Sequence, residues 1–204
     1  LMGCMLSCAS CNKWLMEEIF RTDDFDAEQN AIADDALGKN HVFFLPYLMG
    51  ERSPINDANA RAAFIGMTMD TSRTDLTQAV LEGVAFGIRD SLEAARALGI
   101  EPERSTLCGG GAKSILWRKI LAAVLNLKLD ILQTEQGPGL GAAILAMVED
   151  GAYASIADAC SHIVKVVETI EPDPALTALY DARYQEFRQL YPALKDFFGK
   201  LAGE

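Results

Sequence analysis

With 204 residues, half of them hydrophobic and 23% charged, the chain has the make-up of a globular protein with a sizeable core, in one large domain or two small ones. A formal net charge of −11 argues against nucleic acid or an anionic membrane as partner. No apolar run is long enough to span a bilayer.

The chain opens on Leu1, which suggests that it begins inside a longer protein. Residues 1–20 lack a basic start and end in Glu17-Glu18, so they do not read as a signal peptide. Apolar residues at Leu6, Trp14, Leu15 and Ile19 predict a helix over 3–20. Residues 21–40 are polar and acidic, and read as loop or short helix. His41–Leu45 is a strand candidate ended by Pro46, 50–54 a loop, and 56–59 a turn. A short apolar strand at 62–67 precedes a long helix over about 75–98, with Leu76, Val80, Val84, Ile88 and Leu92 on one face. Thr74 is its expected N-cap and Gly99 its stop.

Ser105–Cys108 reads as a strand that feeds three glycines, Gly109 to Gly111, and then a helix over 113–126. A strand at 128–132, a helix at about 140–150, a short helix at 155–164 and an amphipathic helix at 173–195 complete the reading. This alternation predicts an α/β fold with a mainly parallel sheet after residue 100.

The strand, glycine turn and helix start form a layout suited to an anion or nucleotide. Glycines permit close backbone approach, and the free N–H groups and dipole of the helix start favour phosphate. The negative net charge does not exclude ATP, since a helix N-terminus and a bound metal ion act locally. A P-loop is ruled out, because Ala112 precedes Lys113 and Leu107 stands where a glycine is needed. The Rossmann pattern fails at Ser114. A tight connection without a ligand accounts for the local pattern equally well.

Cys4, Cys8 and Cys11 have the spacing of radical iron–sulfur enzymes, but these positions also form one stripe of an α-helix, where cysteine packs as a small hydrophobe. Five cysteines, an odd number, suit reduced thiols in a cytoplasm. His41 and His162 lack metal-ligand spacing. The small residues Gly141, Ala142 and Ala143 point to helix–sheet packing more than to a ligand. Asp57, beside Asn56 and Asn59, is expected to bond the backbone of a turn instead of acting as a base.

Four stretches, taken together, resemble the C-terminal half of the FGGY carbohydrate kinases: Met5–Trp14, Phe44–Pro54, Ala62–Glu82 and Gly109–Arg118. The likeness runs over roughly residues 3–160, and the stretch at 62–82 is long and specific. It implies an actin-like, ribonuclease-H-like ATPase domain, with a mixed sheet flanked by helices, spanning residues 1–204. A first domain carrying the sugar pocket and a catalytic Asp base is not matched by any segment, so no catalytic residue and no metal ligand is assigned here. The resemblance further implies ATP and Mg²⁺ as cofactors, D-xylulose as the expected sugar substrate with a ribulose or glycerol kinase of the same family as the alternative, a cytoplasmic enzyme and a possible homodimer.

Carried over residue by residue, Gly110, Gly111 and Ala112 match the turn under the adenosine. Lys113 and Ile115 match the start of the following helix, while Ser10 and Lys13 match a segment approaching the nucleotide from the other side. Lys119 and Ala123 depart from the Gln and Asp that relatives often carry. The alternative from another class is a non-enzymatic actin-like module that binds nucleotide to regulate a partner.

Overall fold

Helix α3 (Arg73–Arg96) is the axis of the molecule, and its residues Thr77 to Gly87 are buried on every side. The computed structural model describes residues 3–134 and 137–203. In chain order its elements are α1 (Ser10–Trp14), α2 (Phe25–Asn30), β1 (Phe43–Leu45), β2 (Ala63–Ile65), α3, β3 (Arg104–Leu107), α4 (Ile115–Leu125), β4 (Lys128–Leu132), α5 (Gly137–Glu149), α6 (Ile156–Ile163), β5 (Val166–Ile170) and α7 (Pro174–Ala202).

The expected helix over 3–20 begins only at Ser10. Before it, tertiary bonds hold the backbone in another conformation. Ser53 Oγ accepts from the Cys4 N–H at 3.0 Å, and Glu51 accepts from the Leu6 N–H at 2.9 Å. After Trp14 the helix widens into a π-turn, Leu15–Phe20, and stops at Arg21 in the left-handed region. Cys4 and Cys8 therefore share no helical stripe with Cys11.

Helix α3 starts earlier than the sequence suggests. Ser72, not Thr74, is its N-cap, and a reciprocal pair of bonds between Ser72 and Asp75 forms a capping box. β1 and β2 pair antiparallel, with Phe44 opposite Phe64. Gly83 lets β1 lie directly on α3, since a β-carbon there would stand 2.2 Å from the Phe44 carbonyl oxygen.

The second sheet has the order β3-β4-β5. β3 and β4 are parallel, with Thr106 opposite Asp130, while β5 runs antiparallel to β4. The sheet is thus mixed, and the mainly parallel expectation misses β5, a strand whose Val166 and Val167 are both exposed and so show no alternation. Thr169 Oγ1 donates to Asp130 at 2.7 Å and pins the register.

Helix α7 is longer than expected and passes through Pro192. Asp173 caps it and Pro174 fills its first turn. Tyr180, Tyr184 and Phe187 pack around Phe86 of α3. Beneath them, buried Glu82 accepts from Gln78, Tyr180 and the Gly38 N–H. It also pairs with Arg183 at 3.2 Å, and Arg183 donates onward to the Asn40 and Val42 carbonyls. Burial pushes the Glu82 carboxyl up, and Arg183 opposes this most strongly. In contrast, α5 buries only Ile144 although its sequence is apolar. No helix among the described residues is long and apolar enough to cross a membrane.

Candidate functional site

The glycine run does not enter a helix directly. Gly109 has φ 86° and ψ −177°, a conformation open essentially to glycine alone, and turns the chain out of β3. Gly110–Lys113 form a single 3₁₀ turn, and Ser114 is extended. Ser114 Oγ then accepts from the Trp117 N–H at 3.0 Å and caps α4. The same hydroxyl donates to Gln29 of α2. Trp117 is anchored in turn, its indole N–H donating to the Leu81 carbonyl of α3 at 3.0 Å.

α1, α2 and the glycine turn surround one cleft of about 690 Å³. Ser10 and Lys13 of α1 line one wall, facing Gly110, Gly111 and Lys113. Phe25 and Gln29 of α2, with Trp117 beneath, make the space mainly apolar with a few amides. That is the character of a small-molecule site. A β-carbon on Gly110 would meet nothing within 4 Å, so the backbone there lies open to the cleft.

Five of the residues matched to the nucleotide in sequence, Ser10, Lys13, Gly110, Gly111 and Lys113, thus share one cavity. Ala112 lies instead against a recess of about 260 Å³ on another side of the turn, with Leu107 and Arg118. Ile115 is 79% exposed and is not part of the cleft lining. Sequence reasoning misses Asn12, Phe25, Gln29 and Trp117. Asn12, Phe25 and Gln29 stand in segments without a glycine signal, Trp117 reads as an apolar helix residue, and the polar stretch that holds α2 predicts no more than loop or short helix. One signal there is informative: Asp24 is a good N-cap and does accept from the Ala27 N–H.

Lys13 forms an exposed ion pair with Glu17 at 3.8 Å, a solvent-screened contact that leaves the cation close to the cleft. Among the described residues, no group of three or more His, Cys, Asp or Glu side chains could hold a metal ion. A cluster on Cys4, Cys8 and Cys11 has no such ligand set, and the described residues offer no protein cage for Mg²⁺. Cys11 is fully buried and its thiol donates to the Ser7 carbonyl at 2.6 Å. Burial pushes both the Cys8 and Cys11 thiols up, which keeps them protonated.

Asp57 and the two histidines make local bonds away from the cleft. Asp57 accepts from the Asn59 N–H at 2.8 Å within its turn and from the Tyr191 hydroxyl at 2.7 Å. His41 meets Thr71, and His162 lies against Asp158 and Ser161 at the end of α6. The helix–sheet packing expected at Gly141, Ala142 and Ala143 is not found: all three are exposed and Gly141 has open space beside it, while Gly137 sits beside Cys108.

Residues 1–149 match the model of the FGGY family of carbohydrate kinases, C-terminal domain. The xylulose kinase of Staphylococcus epidermidis is 34% identical over 98% of this chain, and that of Escherichia coli K12 is 36% identical over 95%. This chain spans about 40% of the length of each of these curated relatives. Among solved structures, a xyloylose kinase from Brucella ovis superposes with a TM-score of 0.85 at 37% identity. It covers 96% of this chain, which in turn covers 40% of that one. A ligand-bound xylulose kinase from Lactobacillus acidophilus gives a TM-score of 0.85 at 25% identity, over 97% of this chain and 40% of its own. The chain belongs to the FGGY family of carbohydrate kinases, and its fold is that family's actin-like ATPase domain.

Proposed function

We propose that this chain is the nucleotide-binding domain of a xylulose kinase, transferring the terminal phosphoryl group of ATP to D-xylulose in the complete enzyme. One observation carries the reading: the 3₁₀ glycine turn faces Ser10 and Lys13 across a mainly apolar cleft of about 690 Å³. A flat base fits such a space, and the lysines at its edge suit phosphates.

The residues here would bind and orient ATP. Gly110 offers bare backbone, Lys13 and Lys113 offer positive charge, and Ser114 with Gln29 fixes the turn. Phosphoryl transfer depends mostly on positioning and on neutralising charge, so holding the nucleotide is a large share of the work. The sugar pocket, the base that takes the hydroxyl proton and the groups that meet Mg²⁺ would lie in the part of the relatives that this chain does not span. The metal would accompany the ATP phosphates. A cytoplasmic setting and a homodimer belong to the same proposal.

The test has two arms. Calorimetric titration of the 204-residue chain with ATP should show one saturable site, weak because the surface contributed by the rest of the enzyme is absent. A coupled assay with ATP and D-xylulose should show no turnover by this chain alone. Failure to bind any nucleotide overturns the reading of the cleft, and robust turnover overturns the division of labour.

A further inference from the structure

The cleft contains a polar side chain that the protein itself leaves unsatisfied. Asn12 of α1 is 4% exposed and lines the cleft, yet its Oδ1 is buried without a hydrogen-bond partner. A buried amide that forgoes its bonds is costly, and such groups in folded proteins call for an explanation. The other carboxamide in the wall, Gln29, is already committed to Ser114. Asn12 is therefore the amide available to a ligand.

The surroundings narrow the ligand. Phe25 and Trp117 supply aromatic surface and the space is mainly apolar, which suits a neutral, flat ring. A carboxamide presents one donor and one acceptor side by side. Adenine offers the complementary pair, its 6-amino donor next to the N7 acceptor, whereas guanine offers two acceptors on that edge. The χ2 torsion of a carboxamide is broad, so a modest rotation can turn its oxygen–nitrogen edge toward the cleft.

We propose that Asn12 is a specificity-determining residue of this cleft, its carboxamide pairing with the 6-amino edge of adenine. The inference rests on the reading of the cleft as a nucleotide site.

The experiment is a calorimetric comparison of ATP, GTP and the purine riboside triphosphate lacking the 6-amino group, on the unaltered 204-residue chain and on Asn12→Leu and Asn12→Asp. The unaltered chain should prefer ATP to both analogues by about tenfold or more, as one good bidentate pair gives. Asn12→Leu should lose that preference by weakening ATP more than the amino-free analogue, which keeps only the N7 bond to lose. Asn12→Asp, which keeps an acceptor and lacks the donor, should fall between the two. The analogue comparison on the unaltered chain needs no substitution, so a misfolded variant does not blunt the test. Equal binding of ATP and the amino-free analogue by the unaltered chain overturns the Asn12 assignment and leaves the nucleotide site standing. So does a folded Asn12→Leu that keeps the full preference. Absence of ATP binding by the unaltered chain overturns the nucleotide reading itself, and the Asn12 assignment with it.

Discussion

Trp117 lies directly against Gly111: a β-carbon at residue 111 would come within 3.0 Å of ring carbon Cζ3. The ring cannot yield, because it is 3% exposed and its N–H is bonded to the Leu81 carbonyl. Gly110, one residue earlier, faces open space. The two glycines thus serve different ends, one for packing and one for access.

Gly111→Val should therefore destabilise the fold by about 1–3 kcal/mol through overpacking. Gly110→Val should change stability by no more than about 0.5 kcal/mol while narrowing the cleft and weakening ATP binding. Urea denaturation and calorimetric titration on both variants separate the two effects. Equal destabilisation by both would contradict the assignment.

Ser114→Ala removes the α4 cap and the bond to Gln29 together. A loss of about 1 kcal/mol is expected from the cap. ATP affinity should fall as well, because the link between the glycine turn and α2 is cut. A thermal melt alongside the titration checks both. An unchanged affinity would mean that the turn holds its shape without Gln29.

Glu82 and Arg183 tie α3 to α7 and, through the Asn40 and Val42 carbonyls, to the approach of β1. Removing one partner leaves the other charge buried and unpaired. Arg183→Met or Glu82→Gln should each cost about 3–5 kcal/mol, with the double change costing less than the sum of the two. Chemical denaturation of the three variants measures this. Additive losses would mean that the pair acts as two separate residues.

The Tyr191–Asp57 bond gives the chain a defined acid sensitivity. The Tyr191 hydroxyl, followed by the Asn59 and Ala60 N–H groups, holds the Asp57 carboxyl below its usual range against a smaller upward pull from burial. Stability from this group is present above the ordinary Asp value, about 4, and is lost as pH falls through the lowered one. Burial and Asp57 push the Tyr191 hydroxyl up to about 12, so its contribution is present below pH about 10 and lost as pH rises through about 12. In Tyr191→Phe, the stability gap from the unaltered chain should be widest near neutral pH and should narrow below pH about 4. A gap that does not change with pH would remove Asp57 from the account.

Local chemistry makes several features legible in the sequence. The long α3 pattern, the Gly99 stop, the β3–glycine–helix unit and the turn role of Asp57 all depend on neighbours a few residues apart, which is the range over which periodicity and turn chemistry operate. Even there, the capping box displaces the N-cap from Thr74 to Ser72, because which hydroxyl finds a backbone N–H depends on where the preceding chain enters.

Long-range bonds decide the rest. Glu51 and Ser53 hold Cys4 to Leu6 out of a helix that the apolar spacing favours. β5 exists as a strand because β4 is there to pair with it. The cleft itself joins Asn12, Gln29 and Gly110, which no local pattern connects. Residue order sets the glycine turn and its helix, since φ preferences and caps act within one turn of chain. Which side chains face that turn, and that the Asn12 Oδ1 among them is left without a partner, follow only from the packing of α1, α2 and α4 on the common helix α3. There a single bond, Ser114 to Gln29, spans 85 residues, a distance over which side-chain spacing carries no signal.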